Sequence, residues 1–152
     1  MNKNAMDIRV SKIAENEPEL VTIFCHRIDD RVQDIVDFVK SRQGQVSGCF
    51  DGNEYEVPVS EVYYIESVDN RCFLYCEDRV YEAKQRLYEL EKMLAAKRFL
   101  RVSKSVLLNL MKVESIKPAM NGRFLALLKN REQIIISRKY VPALKETLRE
   151  GR

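Results

Sequence analysis

From Gln45 onward, apolar residues recur at every second position in short runs, and each run ends on a turn signal. Phe50 gives way to Asp51-Gly52-Asn53 before Tyr55, Val57 and Val59; Val62–Ser67 and Cys72–Glu77 flank Val68-Asp69-Asn70-Arg71; Asp78-Arg79 precedes Val80–Ala83. Period two lines up alternate side chains on one face of a strand and scatters them around a helix, so a helical bundle is excluded here. Strands this closely spaced predict an all-β or α+β assembly. Pro58 has no N–H to give to a ladder, which assigns the hairpin around Gly52 to a sheet edge.

One helix interrupts the strands, at about Gln85–Ala96, where Leu87, Leu90 and Leu94 form an apolar stripe and Glu89, Glu91 and Lys92 face water. After the run Phe99–Asn109, Val113–Lys117 reads as a strand stopped by Pro118. Asn121-Gly122, both tolerant of positive φ, predicts a hairpin into Phe124–Leu128. Lys129-Asn130-Arg131 turns the chain into Gln133–Ile136. A short terminal helix carries Val141, Leu144 and Leu148, with Pro142 in its first turn and Ser137–Tyr140 as an exposed approach.

The opening differs in kind. Arg9–Ile13 and Val21–Arg27 read as two short strands, parted by Glu15-Asn16-Glu17-Pro18-Glu19. A helix follows, with Asp30 as N-cap, Gln33 completing a capping box, Val32, Ile35, Val36 and Val39 on one face, and Gly44 at the exit. Residues 1–44 are thus expected to form a small α/β extension, and 45–152 the main domain. The extension is too small to hold a core, so its stripe covers either the rest of the chain or a second copy of the protein.

A chain of 152 residues with 45% hydrophobic content can bury one ordinary core. Its apolar runs fall short of the roughly 18 residues a membrane helix needs, and its start carries no signal-like apolar region, so a cytosolic protein is expected. Cys25, Cys49, Cys72 and Cys76 are read as reduced thiols, since the only histidine, His26, does not complete a zinc spacing. No P-loop, glycine-rich dinucleotide loop or metal-helix motif is present. Glu54/Glu56 and Glu89/Glu91 are explained by strand alternation and helix exposure, and Cys25-His26 would point to opposite strand faces. No enzyme activity, cofactor, metal or small-molecule substrate is expected.

Charge is the informative part of the composition. Residues 1–42 carry seven cations against eight acids, residues 43–96 five against eleven, and residues 97–152 fourteen against four. A basic final third on an acidic remainder suits a polyanionic partner. Within it, Phe99-Leu100-Arg101-Val102-Ser103-Lys104-Ser105-Val106-Leu107-Leu108-Asn109 interleaves core with hydrogen-bond donors, and Asn121-Gly122-Arg123 and Ser137-Arg138-Lys139 repeat the theme. These three are read as one nucleic-acid-binding surface. Neither long helix has a basic face and no helix-turn-helix pattern is present, so binding would use loops and strand ends. An RNA-binding module or a protein-interaction adaptor are the rival readings.

The same run, with I-K-P-A-M-N-G-R-F-L-A-L-L-K-N, I-I-I-S-R-K-Y-V-P-A-L-K-E-T-L, Y-Y-I-E-S-V-D-N-R and Y-E-A-K-Q-R-L-Y-E-L-E, resembles the LytTR DNA-binding domain of bacterial transcriptional regulators across roughly Val46–Arg149. The resemblance implies an α+β, mainly β domain of small packed antiparallel sheets with two short helices. Its loops would enter successive major grooves on one face of double-stranded DNA. Carried over, the base contacts are Asn70 or Arg71, Lys104 and Arg138. Arg101, Ser103, Arg123, Ser137 and Lys139 are then expected on phosphates, with hydrogen bonds to backbone that orient the loop as the alternative for Arg101 and Ser105, and Asn109 is expected to close a turn. The opening is too short for a phosphoacceptor receiver and lacks its acidic pocket. It looks like the compact members, often encoded beside a small membrane protein, and a homodimer is expected.

Overall fold

The computed structural model describes residues 5–150, and its regular elements begin at helix α1 (Asp30–Arg42). Strands β1 (Gln45–Phe50), β2 (Asn53–Pro58), β3 (Val62–Val68), β4 (Arg71–Cys76) and β5 (Val80–Ala83) precede helix α2 (Leu87–Leu94). Then come β6 (Phe99–Ser103), β7 (Val106–Asn109), β8 (Val113–Pro118), β9 (Phe124–Leu128), β10 (Gln133–Ile136) and helix α3 (Val141–Glu150). The hairpin turns are chemically forced: Asp51 and Gly52, then Asp69 and Asn70, all take positive φ. Paired positive φ gives the turn whose twist matches that of the flanking strands.

Seven strands form one antiparallel sheet in the order β2-β1-β5-β4-β3-β7-β6, and β10-β9-β8 form a second. The centre of the seven-stranded sheet is the meander β3-β4-β5, with the β1-β2 hairpin added to one side and β6-β7 to the other. Chain passing from β5 to β6 must cross the sheet, and α2 makes that crossing with Leu87, Leu90 and Leu94 turned inward. They join Val46, Val57, Ile65, Leu74 and Leu107 in one core. A second core lies on the opposite face, where Tyr63, Val102, Leu108, Ala126, Leu128, Ile136 and Leu144 meet. Leu107 and Leu108 serve different cores because neighbouring strand residues face opposite ways, and all four residues of β7 are buried. Pro58 lies on the edge strand, as its missing N–H requires.

The expected strands at Arg9–Ile13 and Val21–Arg27 do not form. Neither segment joins a ladder, and Val10 and Phe24 are each 92% exposed. A strand needs a neighbour, and β2, the nearest free edge in sequence, is not joined by either segment. The N-cap of α1 is Asp29 instead of Asp30, its carboxylate accepting from the Val32 amide at 3.1 Å. Helix α1 docks on β1 and α2 through Val32, Asp37 and Ser41, with Gln85 Nε2 donating to Asp37 at 2.8 Å. The anticipated stripe is therefore split: Val32 is buried, whereas Ile35 and the neighbouring Phe38 stay exposed. Among the described residues no helix is long and apolar enough to cross a membrane.

Candidate nucleic-acid interface

Three loops meet at one end of the large sheet, and backbone hydrogen bonds fix their order. The β3–β4 turn carries Asp69 and Asn70, with Arg71 closing the hairpin opposite Val68. Beside it lies the β6–β7 loop, because β3 and β7 pair through Glu66 and Val106 and the Ser67 amide donates to the Ser105 carbonyl at 2.8 Å. On its other side the Ser137 amide donates to the Val102 carbonyl at 2.9 Å, which brings Ser137-Arg138-Lys139 alongside. The β8–β9 turn joins them. Gly122, at φ +74°, lies so near Arg138 that an added Cβ would stand 2.9 Å from its Cδ. The structure thus gathers Asn70, Arg71, Lys104, Arg123, Arg138 and Lys139 at neighbouring tips, all exposed.

Their commitments differ. Arg71 is clamped across the sheet by Glu82, Nε and Nη2 donating at 3.0 and 2.6 Å, and its guanidinium lies 5.4 Å from the Phe73 ring centre. That hydrogen bond holds the guanidinium pKa above its ordinary value and the Glu82 carboxyl below its own. Asn70 stands at the turn apex with φ +62°. Lys104 is exposed between Ser103 and Ser105, whose amide donates to the Ser103 hydroxyl at 3.3 Å. Arg123 Nε donates to the Met120 carbonyl at 3.2 Å, and Lys139 Nζ lies 5.8 Å from the Tyr140 ring centre.

Arg101 is the least free of the cations. Its Nε donates to the Ser103 carbonyl at 2.9 Å, Nη1 to Glu91 at 3.0 Å, and Nη2 to the Lys104 carbonyl. Two residues shape the surface in ways that sequence reasoning did not foresee. Glu91 reaches it from α2, and Gly122, expected as the hairpin residue of its segment, seats the Arg138 stem. Neither signal is local, since both partners come from other elements. Asn109 is structural as expected: its side chain accepts from the Met111 amide at 3.0 Å and donates to the Val62 carbonyl at 2.8 Å.

The far end of β3 and β4 is of mixed charge. An open groove of about 440 Å³ there is lined by Glu61, Glu77 and Asp78 with Arg79 and Lys112.

Comparison with known proteins is consistent with this geometry. The sequence pattern of the LytTr DNA-binding domain family matches residues 52–149. A solved LytTr DNA-binding domain from Bacillus cereus superposes with a TM-score of 0.65 at 26% identity, covering 69% of this chain and 96% of that one. A relative from Staphylococcus aureus strain NCTC 8325, described as an HTH-type transcriptional regulator, is 30% identical over 139 residues, which span 90% of this chain and 94% of the relative. Its counterpart from strain MSSA476 is 28% identical over 137 residues. The name of these relatives does not describe the fold seen here: α1, α2 and α3 are separated in sequence by strands, and the basic tips are loops.

Proposed function

We propose that this chain, which belongs to the LytTr DNA-binding domain family, is a sequence-specific transcriptional regulator that reads the major groove of duplex DNA with loops. The observation carrying the reading is the backbone-tied convergence of the β3–β4, β6–β7 and β10–α3 tips, each presenting an exposed side chain able to reach a base edge. Asn70, Lys104 and Arg138 are the readers. Arg71, engaged by Glu82, shapes the first tip instead. A bidentate Arg–guanine pair discriminates by about 1–3 kcal/mol, and Asn pairs similarly with adenine. Ser103, Arg123, Ser137 and Lys139 hold phosphates, fixing register without reading sequence. Residues 69–71, 103–105, 121–123 and 137–139 contain no aromatic side chain, which favours duplex over the stacking platforms of single-strand readers.

The test compares Arg138→Ala and Lys139→Ala in mobility-shift titrations on a duplex selected from a random pool and on unselected duplex. Arg138→Ala should weaken chiefly the selected duplex. Lys139→Ala should weaken both alike and reduce the salt slope by about one unit. Equal losses for Arg138→Ala on both duplexes remove it from base reading. The protein acts as a homodimer through the outer face of α1, where Ile35 and Phe38 are exposed. Sedimentation should show Phe38→Asp as monomer, and an unchanged dimer would exclude that face.

A further inference from the structure

Arg101 stands in the most basic stretch of the chain, where a phosphate contact is the ordinary expectation. Its guanidinium is directed elsewhere. The Ser103 and Lys104 carbonyls, which bracket the tip of the β6–β7 loop, each take a hydrogen bond from it, and a third goes to Glu91. The Arg101 side chain is only 21% exposed. Glu91 belongs to α2, whose Leu90 and Leu94 are fully buried, so it is mounted on a helix packed into the large-sheet core. The β6–β7 ladder is irregular between Arg101 and Ser103, which leaves the loop without a regular strand register just before Lys104. We infer that Arg101 is a positioning residue: with Glu91 it braces the β6–β7 loop against α2 and thereby fixes where Lys104 meets DNA.

This rests on the DNA-reading proposal and adds a residue, Glu91, whose carboxylate the DNA phosphates would repel. Two sign predictions follow from the geometry. Removing a carboxylate beside a DNA-binding surface should tighten binding if charge alone matters, yet a lost brace should loosen it. Lysine keeps the charge of arginine but cannot present a planar fork to three separate acceptors, so Arg101→Lys preserves a phosphate contact and destroys a brace.

The experiment uses full-length wild type, Glu91→Gln and Arg101→Lys, each first shown to unfold cooperatively in urea. Hydrogen exchange of the Ser105 and Val106 amides is followed without DNA, and affinity is measured on selected and unselected duplexes across salt. Both variants are expected to speed exchange at those amides and to lose roughly tenfold on the selected duplex, the scale of one charge-assisted hydrogen bond. Unselected duplex and the salt slope should stay as in wild type. Unchanged exchange, tighter binding by Glu91→Gln, or wild-type affinity for Arg101→Lys would each overturn the brace. Failure of wild type to bind any duplex would overturn the functional reading instead, and the exchange result would still decide the brace.

Discussion

Asn109→Leu isolates what holds the two cores in register. Asn109 is 2% exposed and ends β7, where it donates to the Val62 carbonyl at the start of β3 and accepts from the Met111 amide in the turn toward β8. Leucine matches its size but makes neither bond. Two net hydrogen bonds at about 1 kcal/mol each, with part of the cost of a buried carbonyl losing a partner, sum to roughly 2–4 kcal/mol. With a urea m-value of about 2 kcal/mol per molar, the midpoint should fall by about 1–2 M at unchanged m. Circular dichroism through a urea titration reads this directly. Residue 109 lies at the end of β7 away from the basic tips, so the folded variant should keep its duplex affinity. A midpoint drop below about 0.3 M would refute the assignment, since this is less than the net value of one hydrogen bond.

Gly122→Ala introduces a side chain at φ +74° against the Arg138 stem. It should cost about 1–2 kcal/mol in urea and lower affinity for selected duplex more than for unselected duplex. Gly48→Ala places a Cβ 2.7 Å from that of Tyr81 on the neighbouring strand, and should cost about 1–3 kcal/mol without altering DNA preference. The Cys76 thiol is pushed up to about 11, first by burial and then by Glu61. Its raised folded pKa means the associated stability is whole below the unfolded thiol pKa and is lost as pH climbs through the folded one. Urea midpoints should therefore decline from about pH 9 toward 11, and Cys76→Ala should flatten that decline.

The residues that announced themselves in sequence did so through local chemistry. Asp51-Gly52, Asp69-Asn70 and Asn121-Gly122 accept positive φ, and each marks a turn between antiparallel strands. Leu87, Leu90 and Leu94 recur at helical spacing and fill a core. What sequence did not disclose depends on partners distant along the chain. The irregular register between Val62 and Tyr64 lets Val62 and Ile65, three residues apart, share a core, and no periodicity announces this. The segments at Arg9–Ile13 and Val21–Arg27 have strand-like composition, yet composition does not supply a neighbour to pair with. In the candidate surface, basic residues and their segments were legible, whereas the carboxylates that occupy Arg71 and Arg101 were not. Glu82 and Glu91 lie on β5 and α2, and only the folded sheet brings them within reach.

The arrangement around Lys104 separates what the fold requires from what a target selects. The carbonyls and hydroxyl of its neighbours are spoken for, while its own side chain points to solvent and contributes to neither core. A different side chain there would leave the scaffold intact while changing the chemistry that the tip presents. On the proposed reading, such a molecule is retuned to a new operator one fingertip at a time, with little penalty in foldedness at each step.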